Sequence, residues 1–387
     1  MVLLTSIDLF TGAGGITLAL AGIARPVMYC DVDPVARRCI EFNIARKLLP
    51  RAPISDDILT LTHPPKADIV VGGSPCIGFS SLGKRAGFGN EGSALFFSLL
   101  HVLDKSGSKA VFVENVPGIT QSITQVIHEL SVKRGFQLRW ECVGASDVGA
   151  PHTRNRWFCL GIKKGSKLET MRFGSLLKYK QYDWSSKGPN GTYVGKYPVD
   201  EHTSKRRSAR RWQLMGNSVT PDAVRLAFCR LFSGGACGSL DENVPLSFAP
   251  ILPGHRPVAE ASCRGMSVVQ PGSKHVHIVD TILPLTRKHQ SIALTFDPKA
   301  VKLPAKRNIQ QTNDVLEKVC KATRWATPRY SMTRGSRVLT NRTCKDLPTQ
   351  VKYEKGTVGR TRVLSGKFAE WLMGFPIGFT DVEDDER

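Results

Sequence analysis

None of the ten cysteines stands in a Cys-x-x-Cys pair. That removes the usual ligand spacing of structural zinc, and no metal site is expected. No run of about 20 apolar residues is present, so no membrane-spanning helix is expected. The N-terminus is apolar but has no basic leading region, and Asp8 interrupts it, so it does not read as a secretory signal. A soluble chain with free thiols in a reducing, intracellular compartment follows. Internal repeats are absent. Gly-x-Gly-x-x-Gly is missing after the first strand, which weighs against a dinucleotide cofactor. Acidic residues are few: 33 Asp and Glu stand against 54 Lys and Arg, for a net charge of +21. Such a surplus points to a polyanionic partner, most simply nucleic acid, rather than to a merely solvated basic face.

The chain has 387 residues, 41% of them hydrophobic, enough for one large domain or two ordinary ones. Residues 1 to about 162 alternate short apolar strands with helices. Leu3–Phe10, Pro26–Asp31, Asp68–Val71, Ala110–Val113, Phe136–Val143 and Trp157–Ile162 read as strands. Ile16–Ile23 and Pro34 to about Arg46 read as helices. This pattern predicts an α/β domain over 1–165, built on a mostly parallel sheet covered on both faces. Residues 166–208, rich in Lys, Gly, Ser and Tyr, read as a basic connector. The cluster Lys205-Arg206-Arg207 with Arg210-Arg211 is expected to be exposed or to face phosphate. Thr220-Pro221-Asp222 opens a helix with Thr as cap and Pro in the first turn, so residues 209–235 return to regular structure. A glycine-rich break at Gly234-Gly235 precedes residues 236–387, which read as a second, smaller domain.

Two strand ends carry the chemistry. Gly72-Gly73-Ser74-Pro75-Cys76 follows Ile69-Val70-Val71 and puts a cysteine at the tip of a loop, where a thiol can be exposed and aimed. Ala110-Val111-Phe112-Val113 leads into Glu114-Asn115-Val116, which places a carboxylic acid at the end of a neighbouring strand. A thiol facing an acid across the carboxyl edge of a sheet is the pair needed to activate a pyrimidine ring. The first turn, Asp8-Leu9-Phe10-Thr11-Gly12-Ala13-Gly14-Gly15, lets the backbone turn sharply and opens a helix whose N-terminus favours an anionic group. Such turns are about as often simple tight packing. Asp31 lies about 20 residues on, where an acid can take ribose hydroxyls. Asp57 either accepts from an adenine amino group or caps a turn.

With these residues in view, the chain resembles the cytosine-5 DNA methyltransferases. Asp8 to Gly15 matches their first motif, Gly73-Ser74-Pro75-Cys76 their nucleophile loop, and Glu114-Asn115-Val116 their acid motif. Arg154-Asn155-Arg156 matches the paired-arginine motif and Gly216-Asn217-Ser218-Val219 the final one. The order of motifs is closest to the enzymes of large algal viruses. Gly-Asn-Ser-Val normally follows the recognition region; here it precedes it. The chain ends with Ala369-Glu370-Trp371-Leu372-Met373-Gly374-Phe375-Pro376, which looks like the segment that usually comes before that motif.

The resemblance implies a Rossmann-like, S-adenosylmethionine-dependent methyltransferase sheet with a C-terminal target-recognition domain over 236–387. It implies double-stranded DNA as partner and, beside it, a cognate restriction endonuclease. Cys76 would add to carbon 6 of cytosine. Glu114, at least partly protonated, would bond ring nitrogen 3 and the amino group. Arg154 and Arg156 would hold the base carbonyl and a neighbouring phosphate or acid. Phe10, Gly12, Gly14, Asp31, Asp57, Gly73, Pro75, Leu95 and Asn217 would form the cofactor pocket. The basic stretch from Ser80 to Gly92 suits a lid over a flipped base. Arg329, Arg334, Arg337, Arg342, Arg360 and Arg362 are candidates to contact phosphate or guanine. Two positions depart from the family, which commonly has Gln at both: Ile77 and His152. Both are expected to bear on DNA contacts. An RNA substrate, an inactive DNA-binding homologue and a nicotinamide oxidoreductase are the competing readings.

Overall fold

A computed structural model of the chain describes residues 3–74, 91–171, 181–184, 199–200, 205–232, 265–269, 276–279 and 363–382. Strand β1, Leu4–Leu9, is central and buried on both faces. It pairs in parallel with β2, Ala24–Cys30, on one side and β4, Ile69–Gly73, on the other. Beyond β2 lies the short β3, Ile54–Ser55, and beyond β4 lies β5, Ala110–Asn115, both parallel to their neighbours. The expectation of a mostly parallel sheet is met in this half. β7, Asn155–Lys163, then runs antiparallel to β5, and β6, Phe136–Gly144, antiparallel to β7. β9, Gly265–Val269, and β10, Val276–Val279, extend that edge, giving the order β10-β9-β6-β7-β5-β4-β1-β2-β3.

Two consequences position the site. The strand order reverses direction at β1 and β4, which opens a crevice at their carboxyl ends, where ligands of doubly wound sheets bind. Because β7 is reversed, its first residues lie at the same carboxyl edge. Arg154 and Arg156 therefore meet the end of β5.

Helices cover both faces. Helix α1, Gly15–Ala19, ends earlier than the pattern Ile16–Ile23 suggests, because Gly22 turns at φ +79° to feed β2. Helix α2, Pro34–Ala45, is capped by Asp33, whose carboxylate accepts from Val35 N at 2.9 Å. Helix α3, Glu91–Ser106, lies on the opposite face, with Phe96, Leu99, Leu100 and Leu103 buried. A shorter helix, α4, Ile123–Ile127, continues as a π-turn through Val132.

Three expectations change. The basic cluster from Lys205 to Arg211 is not a connector loop. It forms the start of helix α5, Lys205–Asn217, and Arg207 and Arg211 turn inward onto Asp381. Partners so far along the chain are invisible to a local reading. Thr220 does cap helix α6, Pro221–Phe232, but with its carbonyl, which accepts from Ala223 N and Val224 N. Its hydroxyl is buried without a hydrogen bond. The end of the chain does not stand apart as recognition domain. Strand β11, Val363–Leu364, pairs with β8, Val199–Asp200. Helix α7, Gly366–Met373, packs against α5. Phe368, Trp371, Leu372, Met373, Phe375 and Phe379 join the cluster that holds Ala13, Ile16 and Phe228. Each such burial is worth about 1.5–3 kcal/mol, so this segment is part of the core.

Candidate active site

The first turn is held open by strain at one residue and by glycine at two. Phe10 sits at φ +54°, a left-handed conformation rare for a side chain, and stays half-buried against the same buried cluster that Leu95 packs on. Gly14, at φ +86°, leaves no room for a Cβ, which would meet Leu49 Cδ1 at 2.8 Å. Gly12 is at φ +57°, and its N–H donates to Asp31 Oδ2 at 2.7 Å. Asp31 Oδ1 accepts from Asp33 N at 2.9 Å. Asp31 therefore ties the end of β2 to the turn after β1. Burial raises its carboxyl above the usual range, against the pull of those two N–H groups.

Beneath this turn lies Asp8, fully buried, with Oδ2 accepting from Thr17 Oγ1 at 2.5 Å and Oδ1 unpartnered. Burial pushes Asp8 up to about 7; the Thr17 bond opposes this and Asp31 adds to it. Sequence reasoning assigned Asp8 no role. It also missed Val32, a 73% exposed aliphatic beside Asp31, and Leu59, 67% exposed beyond β3. Exposed aliphatics next to half-buried acids suit an adenosine-sized ligand. Asp57 accepts from Leu59 N at 2.9 Å, so the structure displays its turn-capping role.

At the ends of β4 and β5 the catalytic candidates converge. Gly73 is paired with Glu114 in register, and a Cβ on Gly73 would lie 2.6 Å from Glu114 Oε2. Glycine here leaves room for the carboxylate. Arg156 Nε donates to the other oxygen, Oε1, at 2.9 Å. Both side chains are largely buried. Burial raises the Glu114 carboxyl above the usual range, while Arg156 and then Arg154 pull it back. Asn115, buried, donates from Nδ2 to Ser74 O and Oγ at 3.2 Å, and its Oδ1 accepts from Val116 N. It thereby fixes Ser74, two residues before the candidate nucleophile. Pro75, Cys76 and Ile77 lie outside the described residues. So do Ser80 to Asn90 and the six candidate arginines beyond residue 328; the rest of the expected lid, Glu91 and Gly92, is helical.

Arg154 is buried, and Nη2 donates to Gly216 O at 3.0 Å, joining the arginine motif to Gly-Asn-Ser-Val. Asn217 ends α5 exposed. A Cβ on Gly15 would meet Val219 Cγ2 at 2.9 Å and Phe375 Cζ at 3.1 Å, so the first turn, the final motif and the C-terminal segment touch at one point. His152 departs from expectation. It is fully buried, with Nε2 2.9 Å from Leu372 O and Nδ1 accepting from Arg154 N at 3.3 Å. It bridges the C-terminal helix and the arginine motif from inside the fold. Among the described residues no cluster could hold a metal ion, and no helix is long and apolar enough to cross a membrane.

A seven-strand core in the order β6-β7-β5-β4-β1-β2-β3, with β7 reversed and its site on the carboxyl edge, defines a Rossmann-like methyltransferase fold. Within that class the chain belongs to the C-5 cytosine-specific DNA methylase family, whose model matches residues 4–225. The motif order expected of algal viruses has its counterpart. Type II methyltransferase M.CviJI of Paramecium bursaria Chlorella virus IL3A is 28% identical over 380 residues, 96% of each chain. M.HpaII of Haemophilus parainfluenzae is 28% identical over 56% of this chain and 64% of its own length. Among solved structures, S. pombe Dnmt2 methyltransferase is 18% identical over 57% of this chain and 70% of that one, with a TM-score of 0.35.

Proposed function

We propose that the protein is a site-specific, S-adenosylmethionine-dependent DNA cytosine-5 methyltransferase that works through a covalent Cys76 adduct. The observation that carries this is the Glu114–Arg156 pair, set over Gly73 three residues before Cys76. Carbon 5 of cytosine is a weak nucleophile. Addition of the Cys76 thiolate to carbon 6 makes carbon 5 enamine-like. Glu114, whose neutral form burial favours, donates to ring nitrogen 3 and offsets the charge that develops there. Arg156 holds the Glu114 carboxyl in place, and the arginine pair faces the base carbonyl. S-adenosylmethionine, when bound, supplies the methyl group to carbon 5. Loss of the carbon-5 proton and expulsion of the Cys76 sulfur restore the ring. The base must leave the duplex to reach this edge.

Phe10, Val32 and Asp31 would hold the adenosine, with Gly12, Gly14, Asp57, Pro75, Leu95 and Asn217 completing the pocket. The +21 charge supports a phosphate backbone as partner. Residues between β10 and β11 would supply the sequence reader, and a cognate restriction endonuclease would recognise the same site.

The test uses duplex DNA carrying 5-fluorocytosine and labelled cofactor. Fluorine cannot leave as the proton does, so a covalent complex should persist with the native chain and vanish with Cys76→Ala. Mapping 5-methylcytosine on ordinary DNA should then show one short context. Methyl on RNA but not on DNA, or a complex that survives Cys76→Ala, overturns the reading.

A further inference from the structure

We propose that His152 is a positioning residue for the proposed reaction: as its neutral Nε2–H tautomer it couples the C-terminal helix to the arginine motif. The inference rests on the methyltransferase reading above. A backbone carbonyl can only accept, so the 2.9 Å contact with Leu372 O requires a proton on Nε2. A backbone N–H can only donate, so the 3.3 Å contact with Arg154 N requires a bare Nδ1. The two partners together select one tautomer of a ring that has no solvent exposure.

What lies on each side gives the bridge its role. Leu372 belongs to the last turn of α7, whose carbonyls have no partner within the helix. Trp184 Nε1 serves the same turn, at 2.9 Å from Trp371 O and 3.3 Å from Leu372 O. On the other side, Arg154 immediately precedes β7. Its guanidinium reaches Gly216 O, and two residues on Arg156 reaches Glu114. A segment placed at the far end of the chain is thus tied to the catalytic edge through one imidazole. The glutamine common in the family presents an amide acceptor and donor side by side, much as the two ring nitrogens do. His152 supplies the same pair of bonds on a shorter, stiffer frame.

The experiment compares the native chain with His152→Gln and His152→Leu in single-turnover methyl transfer, cofactor binding and thermal unfolding. His152→Leu should lower the transfer rate by up to about 100-fold, the cost of displacing an aligned group by about 1 Å, with cofactor affinity unchanged. His152→Gln should recover most of that rate. Equal rates in native and Leu proteins, or equal losses in Leu and Gln, overturn the proposal. Should the Leu protein fail to fold, ¹⁵N-histidine spectra of the native chain decide, with the His152 signal identified by its loss in His152→Gln. A protonated Nε2 with bare Nδ1 supports the bridge; the other tautomer or an imidazolium overturns it. A native chain inactive on DNA and RNA would instead refute the functional reading, and the spectra would still report on the tautomer.

Discussion

Arg211 and Glu370 are 159 residues apart in the chain and 2.8 Å apart in the fold, both buried. Glu370 Oε1 also accepts from Thr380 N and Oγ1, and Oε2 from Gly378 N at 2.6 Å. Arg211 donates further to Thr380 Oγ1 and Asp381 Oδ1. The helix that leads into Gly216-Asn217 and the segment that ends the chain are therefore one packed unit. The sheet needs only that the two pieces touch, however far apart they lie along the chain.

Removing one partner of this pair strands the other. Glu370→Ala should cost about 3–5 kcal/mol, the usual penalty for leaving a buried charge unpaired. Replacing both residues with apolar side chains of similar size should cost less than the two single changes together. Urea unfolding of the four proteins checks this. Additive losses would mean that the two groups do not act as a pair.

Gly73 is required by Glu114 rather than by its own backbone, since its φ is unremarkable and the 2.6 Å approach is to a side chain. Gly73→Ala should displace the carboxylate and lower methyl transfer by about 100-fold. Unfolding should barely change. A fully active Ala protein would show that the carboxylate has slack.

The pH profile should carry the signature of the Glu114–Arg156 pair. On the proposed mechanism neutral Glu114 is the donor, so the rate should fall as pH rises through its pKa. Burial holds that fall above the ordinary carboxylate range, and Arg156 restrains it. Arg156→Met removes a cation that favours the ionised form. The descending limb should then move to higher pH while the maximum rate drops. A limb that stays in place, or moves to lower pH, would remove Glu114 as the titrating group.

The sheet was legible because its strands are short, apolar and separated by helices, and their edges fall within a residue or two of the pattern. The site was legible where chemistry demands fixed neighbours along the chain: Gly73 beside the nucleophile loop, Glu114 at a strand end, Asp31 after β2. It was not legible where partners are remote. Nothing local to Arg211 announces Glu370, and nothing local to His152 announces Leu372. Both read as surface groups in sequence and are internal in the fold. Val32 carried a signal that could have been used, an aliphatic between two aspartates just past a strand.

Asp8 offers a prediction on stability alone. Its carboxyl is buried beneath the turn after β1, and its pKa is raised from 3.8 to about 7. A raised carboxyl pKa means that folding favours the neutral form. The contribution is full below about pH 3.8, is lost as pH rises to about 7, and is constant beyond. At about 1.4 kcal/mol per pH unit the loss is about 4 kcal/mol. Asp8→Asn copies the neutral acid: its amide oxygen can still accept from Thr17 Oγ1, and its NH2 takes the place of the unpartnered Oδ1. The variant should match the native chain in acid and become the more stable of the two by neutral pH. Denaturant unfolding of both proteins across that range reads the difference directly. Curves that run parallel would mean that Asp8 is charged in the fold, and that a cation or water reaches its free oxygen.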